Sequence, residues 1–394
     1  MSMALARRRY LPFFLGLALA LAAPVAAAFE VTISARYRGG SNDKFENTTP
    51  VADFCGSWSE PCTTQSLVDL PITYAKRVAL GEPREQFFIQ PPSRKRLDIF
   101  HETTGESFGL DFQVRAVAQM VSASNWVLSP VYSATLEGGC SYRTIMIGRT
   151  TPFIWYYPNP PAPSPCYGVS RRATAADVIT ATVSEMAITY LLITPQPYRM
   201  KPGIYRGSLD LTIGPGGDFD FGDNVTELNT NVVRVNFVLD VEHLFLLSFP
   251  PGSDIAVLEP PGGWEGWLTR GRPPQRLLRD LPMQVWSTGP VSVYKLCQYS
   301  VGSRCGIRND VRHVVPLDVA MSLPEGIRYQ GQPVRRLRIP SGRESAIALE
   351  AIQPTSNRTG QLHFDVAGSD VPGMLPHAGK QYAGQVTIVF DSEL

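Results

Sequence analysis

Charge is scarce in this chain and has no preferred sign. Only 18% of the 394 residues are charged, 36 basic against 35 acidic. A near-neutral balance argues against a protein whose task is to bind a polyanion such as nucleic acid. Histidine is also scarce: five residues, scattered, and no CxxC pair occurs, so neither a zinc site nor a thioredoxin-like redox site is encoded. There is no GxSxG elbow, and His101-Glu102-Thr103-Thr104-Gly105 lacks the second histidine of a zinc-protease helix. After residue 28 no segment is apolar enough to span a bilayer. Long helical patterns are missing too, because 33 glycines and 34 prolines interrupt the chain throughout. Together these features exclude a coiled coil, a disordered tail and a collagen-like rod.

What is present begins with a leader. Arg7, Arg8 and Arg9 precede an apolar run, Leu11 to Ala22, and Ala26-Ala27-Ala28 offers a small-residue cleavage site. Residues 1–28 therefore read as a secretory signal peptide. Its removal leaves 394 − 28 = 366 residues and 33 basic against 35 acidic groups, a net charge of 33 − 35 = −2. Six cysteines remain, Cys55, Cys62, Cys140, Cys166, Cys297 and Cys305. An even number in an exported chain reads as disulfides. Fifteen connectivities are open to six cysteines, and the spacings of 7, 26 and 8 residues favour neighbours.

Period-two alternation dominates the mature chain. Leu110, Phe112, Val114 and Ala116 alternate with more polar neighbours, as do Leu209, Leu211 and Ile213, then Val233, Val235, Phe237 and Leu239. Leu317–Met321 and Leu362–Val366 repeat the pattern, which sets an apolar face on a strand. Ala173 to Thr182 is the one expected helix. Many short strands with few helices predict an all-β fold of β-sandwiches. A length near 400 suggests two domains, and the short charged stretch Val241-Glu242-His243 is the expected boundary, giving 29–241 and 242–394.

One weak repeat bears on function. Lys201-Pro202-Gly203-Ile204-Tyr205-Arg206-Gly207 leads into an alternating strand, and Ala378-Gly379-Lys380-Gln381-Tyr382-Ala383-Gly384 leads into another. After the first copy a further strong strand, Val232 to Leu239, can complete the sheet. After the second, Gln385–Phe390 is followed only by Asp391-Ser392-Glu393-Leu394. The expectation is a second sandwich one strand short, with Val386, Ile388 and Phe390 lining an open slot that another polypeptide fills by strand addition. Four buried apolar side chains in such a slot contribute roughly 6–12 kcal/mol, comparable with the whole stability of a domain at about 5–15 kcal/mol.

Phe54-Cys55 with Cys62, the Cys140/Cys166 pair, Pro202–Gly207, Ser292-Val293-Tyr294-Lys295-Leu296-Cys297 and Ala378–Phe390 are the carriers of a family likeness. On them the chain resembles the CfaE/CblD family of fimbrial tip adhesins and pilus-initiator proteins of the alternate chaperone/usher pathway. The resemblance implies two immunoglobulin-like domains, an N-terminal adhesin domain and a C-terminal pilin domain lacking its final strand. It implies a periplasmic chaperone that lends a strand, an outer-membrane usher, a major pilin subunit that replaces the chaperone, a host glycan or protein receptor, and a place at the fimbrial tip. It also implies that Phe29-Glu30-Val31-Thr32-Ile33 is the first strand of the adhesin domain. The arginine patch of the family's enterotoxigenic members is not matched: neither Asn47–Asp53 nor Gly214–Gly222 contains an arginine.

Candidate ligand contacts are Trp155, Tyr156 and Tyr157, whose aromatic faces suit a sugar or a protein partner, and Arg171 and Arg172, whose forked donors suit an anionic sugar. A strand that packs its aromatics into the core competes with the first reading, and a solvated charge pair with the second. Asp218, Asp220 and Asp223 form an acidic glycine-rich turn without the Glu of an EF-hand. No cofactor is expected and enzymatic activity is not. The competing expectation for the whole chain is a secreted carbohydrate-binding or hydrolytic two-sandwich protein that works alone.

Overall fold

The computed structural model describes residues 29–39, 44–63 and 67–392. The leader expected at 1–28 lies outside the described residues. The chain is mostly β, in several sheets built around two large apolar cores, with a smaller cluster about Phe54, Trp58 and Ile154 on the other face of the first half's main sheet. One core gathers residues from Val31 to Val241, the other residues from Leu277 to Val371. The strand pairings of the two halves do not cross Glu242. The halves touch through the Tyr37 hydroxyl, which donates to the Thr288 carbonyl at 3.3 Å, and through His243 Nε2, 2.7 Å from the Met200 carbonyl.

The first half is organised by one long strand, Ser107–Ala123. Val178–Ile193 pairs along one side of it, while Lys95–His101 and Thr150–Tyr156 share the other. Beyond Lys95–His101 the sheet continues through Gly203–Thr212 and Val232–Val241 to Phe29–Tyr37. Alternation works as expected in Val232–Val241: Val233, Val235, Phe237, Leu239 and Val241 are each 0% exposed. Phe29–Tyr37 runs parallel to that strand over its full length, so the expected first strand is part of this sandwich. A small separate sheet joins Phe87–Ile89, Cys166–Ser170 and Ala134–Gly138.

The expected helix at Ala173–Thr182 is not formed. Thr174 donates from its amide and hydroxyl to the Asp177 carboxylate, both at 2.7 Å, which closes a turn. From Val178 the chain is a strand: Ile179, Ala181 and Val183 are buried while Val178, Thr180 and Thr182 face out. The β-branched side chains at these positions lose little rotamer freedom on a pleated surface, and the two-residue period outweighs local helix preference.

In the second half, Phe245–Ser248, Leu277–Ser287, Thr355–Val366 and Val314–Ser322 are successive neighbours in one sheet, which continues to Arg304–Arg308 and Tyr299–Val301. The facing sheet runs Gln332–Pro333, Ile327–Tyr329, Ile347–Ala351, Val291–Cys297 and Val386–Asp391. Three disulfides close as sequence neighbours: Cys55–Cys62, Cys140–Cys166 and Cys297–Cys305. Three bridges of this kind belong to an oxidising, extracytoplasmic compartment.

Candidate functional site

The first copy of the Gly…Tyr-x-Gly repeat lies within the strand Gly203–Thr212 and the second just before the strand Val386–Asp391, yet glycine is needed in both for one physical reason. A Cβ on Gly207 would lie 2.7 Å from the Asp98 carbonyl oxygen, and one on Gly384 2.6 Å from that of Gly306. Each glycine lets its strand pass close against a neighbouring backbone. Each tyrosine anchors its strand entry. The Tyr205 hydroxyl donates to the Lys201 carbonyl and meets the Glu106 carboxylate, both at 3.2 Å, and the Tyr382 hydroxyl lies 2.8 Å from His313 Nδ1.

The copies then diverge. Gly203–Thr212 is paired along all ten positions by Val232–Val241 and at its entry by Lys95–His101 on the other side. Val386–Asp391 is paired along six positions by Val291–Cys297. Among the described residues no strand pairs with the opposite edge of Val386–Phe390. Val386, Ile388 and Phe390 turn toward the second core but are only half-buried, and the Phe390 ring stacks on Phe245 with centroids 4.9 Å apart.

A groove of about 1070 Å³ runs along that edge. It is lined by Val386 and Ile388, by most of the segment from Phe249 to Leu258, and by core residues that include Leu277, Leu281, Ile307 and Leu362. Those four core residues retain 6–8% exposure, whereas the five inward residues of Val232–Val241 retain none. The second core is thus open to water along one side. In the Phe249–Leu258 segment Ile255 and Val257 are 68% and 58% exposed, and the segment forms no regular strand. A groove lined by apolar side chains, beside a strand edge that has no strand partner among the described residues, is suited to take one extended polypeptide segment.

The expected ligand contacts in the first half are dispersed. Trp155 is a core residue, 0% exposed, with its indole N–H donating to Gln119 at 3.2 Å and its ring against Phe153 and Phe87. Tyr157 is buried as well. Trp155 presents no face to a ligand, which corrects the expectation for that residue: the strand Thr150–Tyr156 lies inside a large sheet and its inward side chains fill the core, whereas Tyr157, though 4% exposed, lines a surface crevice. Tyr156 points the other way. It is half-buried and lines a crevice of about 550 Å³ with Arg115, Ser141 and Pro158. Burial raises the Tyr156 pKa and the nearby Arg143 guanidinium opposes the rise. Arg171 and Arg172 are exposed at the turn after Cys166–Ser170, where Arg171 Nε donates to the Ala134 carbonyl at 3.1 Å. No hydrogen bond or ring contact joins them to Tyr156.

The acidic turn is internally paired. Arg84 forks onto the Asp220 carboxylate at 2.9 and 3.1 Å and reaches Asp223 at 3.0 Å, while Lys95 pairs with Asp218. Burial would raise the Asp220 pKa, but Arg84 and the amides of Gly216 and Gly222 bring it below the usual carboxylate range. A cation there would compete with protein donors already in place.

No family model matches the chain, and no curated protein matches it. Similar solved structures exist. One is a chain from a chaperone–tip adhesin complex of CFA/I fimbriae biogenesis, at 10% identity over 92% of this chain and 95% of that one, with a TM-score of 0.27. Another is the CFA/I adhesin CfaE of enterotoxigenic E. coli, at 9% identity over 92% of each chain and a TM-score of 0.26. A third is a chain from the CsuC–CsuE chaperone–tip subunit pre-assembly complex of the archaic Csu pili of Acinetobacter baumannii, at 9% identity over 92% and 98%, with a TM-score of 0.22.

Proposed function

We propose that the protein is a minor tip subunit of a chaperone–usher pilus. In this reading residues 29–241 are the adhesin domain and residues 242–394 the pilin domain. The pilin domain is completed first by a strand from a periplasmic chaperone and then, at the usher, by a strand from the next pilin subunit. The observation that carries the reading is that Val386–Asp391 is paired on one edge by Val291–Cys297, that no strand among the described residues pairs with its other edge, and that Val386 and Ile388 line a groove of about 1070 Å³. In this reading Val232–Val241 fills beside Gly203–Thr212 the kind of position that a donor strand fills beside Val386–Phe390. The Val232–Val241 strand also indicates what the missing segment carries: apolar side chains at every second residue, directed at the core.

Adhesion belongs to the other half. The crevice formed by Arg115, Ser141, Tyr156 and Pro158 combines an exposed guanidinium with an aromatic face, which suits a glycan. The exposed Arg171–Arg172 pair is a second contact region.

Expression of residues 29–394 in a periplasm, alone and with a pilus chaperone, tests the assembly half of the proposal. The expected result is low soluble yield alone, rescue by the chaperone, and an isolable one-to-one complex. A soluble monomer at equal yield without chaperone contradicts it and favours a stand-alone secreted protein.

A further inference from the structure

The outer face of the second half carries a relay that neither the groove nor the adhesive half uses. Asp280 and His363 sit directly opposite each other on Leu277–Ser287 and Thr355–Val366, and Ala320 lies opposite His363 on the other side. Ser322 is two residues beyond Ala320 on the same face of Val314–Ser322. The small Ala320 side chain leaves His363 room to reach it. His363 Nδ1 is 2.7 Å from Asp280 Oδ1, and His363 Nε2 is 2.8 Å from Ser322 Oγ.

The donor roles follow from chemistry. A carboxylate can only accept, so Nδ1 carries the hydrogen and Nε2 of the neutral ring is left as an acceptor. Ser322 Oγ in turn accepts from the Arg336 amide at 2.9 Å, which directs its hydroxyl hydrogen to His363. Arg336 also reaches across the histidine to hold the second Asp280 oxygen at 2.8 Å. The imidazole is shielded, with its side chain 4% exposed, while Ser322 is half-exposed. This is the nucleophile–base–carboxylate order of an activated serine, recognised by geometry and not by position in the chain.

We propose that Ser322 is a nucleophilic serine, with His363 as its general base and Asp280 as the positioning residue, and that it accepts the acyl group of a small ester. Ser322 Oγ bonds to the acyl carbon as its proton passes to His363 Nε2. The bond from that carbon to the leaving alkoxide breaks, and the alkoxide takes the proton from Nε2. The product is an ester on Ser322 and a free alcohol. Water attacking by the reverse proton path returns the serine. The inference stands independently of the pilus reading, since it uses only the outer face of one sheet.

The test is labelling of the full chain, bound to its strand donor if it needs one to stay soluble, with a fluorophosphonate, followed by peptide mass mapping. Ser322 Oγ displaces fluoride from phosphorus and loses its proton to His363. One adduct is expected, on Ser322. It should be absent in Ser322→Ala and slowed about 100-fold or more in His363→Gln, the usual range for loss of a general base. Asp280→Asn, which keeps the shape but not the charge, should slow it as well. Absence of an adduct at Ser322 in the unsubstituted folded chain overturns the proposal without reference to any variant. So does labelling of Ser322 no faster than that of Ser341, whose hydroxyl meets the Ser303 carbonyl and the Cys297 sulfur but no imidazole.

Discussion

Lys76 is a cation with 0% exposure, and the carbonyl oxygens of Arg84, Phe221 and Asp223 surround its ammonium at 2.9, 2.8 and 2.5 Å. It ties the Tyr74–Ala79 strand to the acidic turn that Arg84 also grips. Lys76→Met takes the ammonium away from three carbonyls, of which that of Arg84 still accepts from the Asp223 amide, at about 1–3 kcal/mol for each acceptor left unpaired. The variant should be less stable by several kcal/mol, read as a lower denaturant midpoint with an unchanged m-value. Burial lowers the Lys76 pKa to about 8, with Asp223 opposing the shift. Its folded value therefore lies below the unfolded one. Between about pH 8 and 10.5 the unfolded chain holds a proton that the native chain has released, so the stability contributed by Lys76 rises with pH across that window. The difference in unfolding free energy between the unsubstituted chain and Lys76→Met, measured at steps from pH 7 to 10.5, should widen upward. Sequence makes little of this visible. A lysine inside an alternating run reads as a solvated residue, and the Asp280–His363–Ser322 relay joins positions more than 40 residues apart that only strand register aligns. Cysteine pairing was legible, because short spacings leave few geometries.

At the scale of elements, alternation identified most of the strands because each has one face in a core and one face outside it. It failed where both signals were present. Thr174 and Asp177 form a turn that resembles a helix start, yet Ile179, Ala181 and Val183 must all enter the core. The aromatic run Trp155–Tyr157 shows the opposite limit: alternation tells which residues share a face but not which face lies inside. Glycine spacing was more informative, and it carries a prediction. Gly384→Val introduces a Cβ against the Gly306 carbonyl, in a place where backbone and not a side chain must yield. Overpacking of this kind costs about 1–3 kcal/mol. For a unit of roughly 150 residues each kcal/mol shifts Tm by about 2–4 °C, so calorimetry should show the second half melting several degrees lower while the first half is unchanged. Gly379→Ala, where no atom lies within 4 Å but φ is +82°, should cost less.

For the whole molecule, two cores with no shared strand predict two unfolding transitions. The half with the open groove should be the first to melt and the one that gains from a partner. Inserting a strand with four inward apolar side chains contributes roughly 6–12 kcal/mol before the cost of ordering it, so fusing such a segment after Leu394 through a flexible linker should raise the lower transition well above its original temperature. The strong strand that follows the first copy of the repeat was readable from the sequence, because Val233, Val235, Phe237 and Leu239 alternate with more polar neighbours. The size of the groove and the irregular state of its Phe249–Leu258 lining were not, since both depend on how two sheets face each other. The most direct measurement is amide hydrogen exchange over Val386–Phe390, compared with Val232–Val241, which is paired on both edges, before and after addition of an alternating apolar strand peptide. Rapid exchange at the outward-facing amides of Val386–Phe390 in the unaided chain, slowed by orders of magnitude on addition, is the predicted result. Protection equal to that of Val232–Val241 without any peptide, and no change on adding it, contradicts the account.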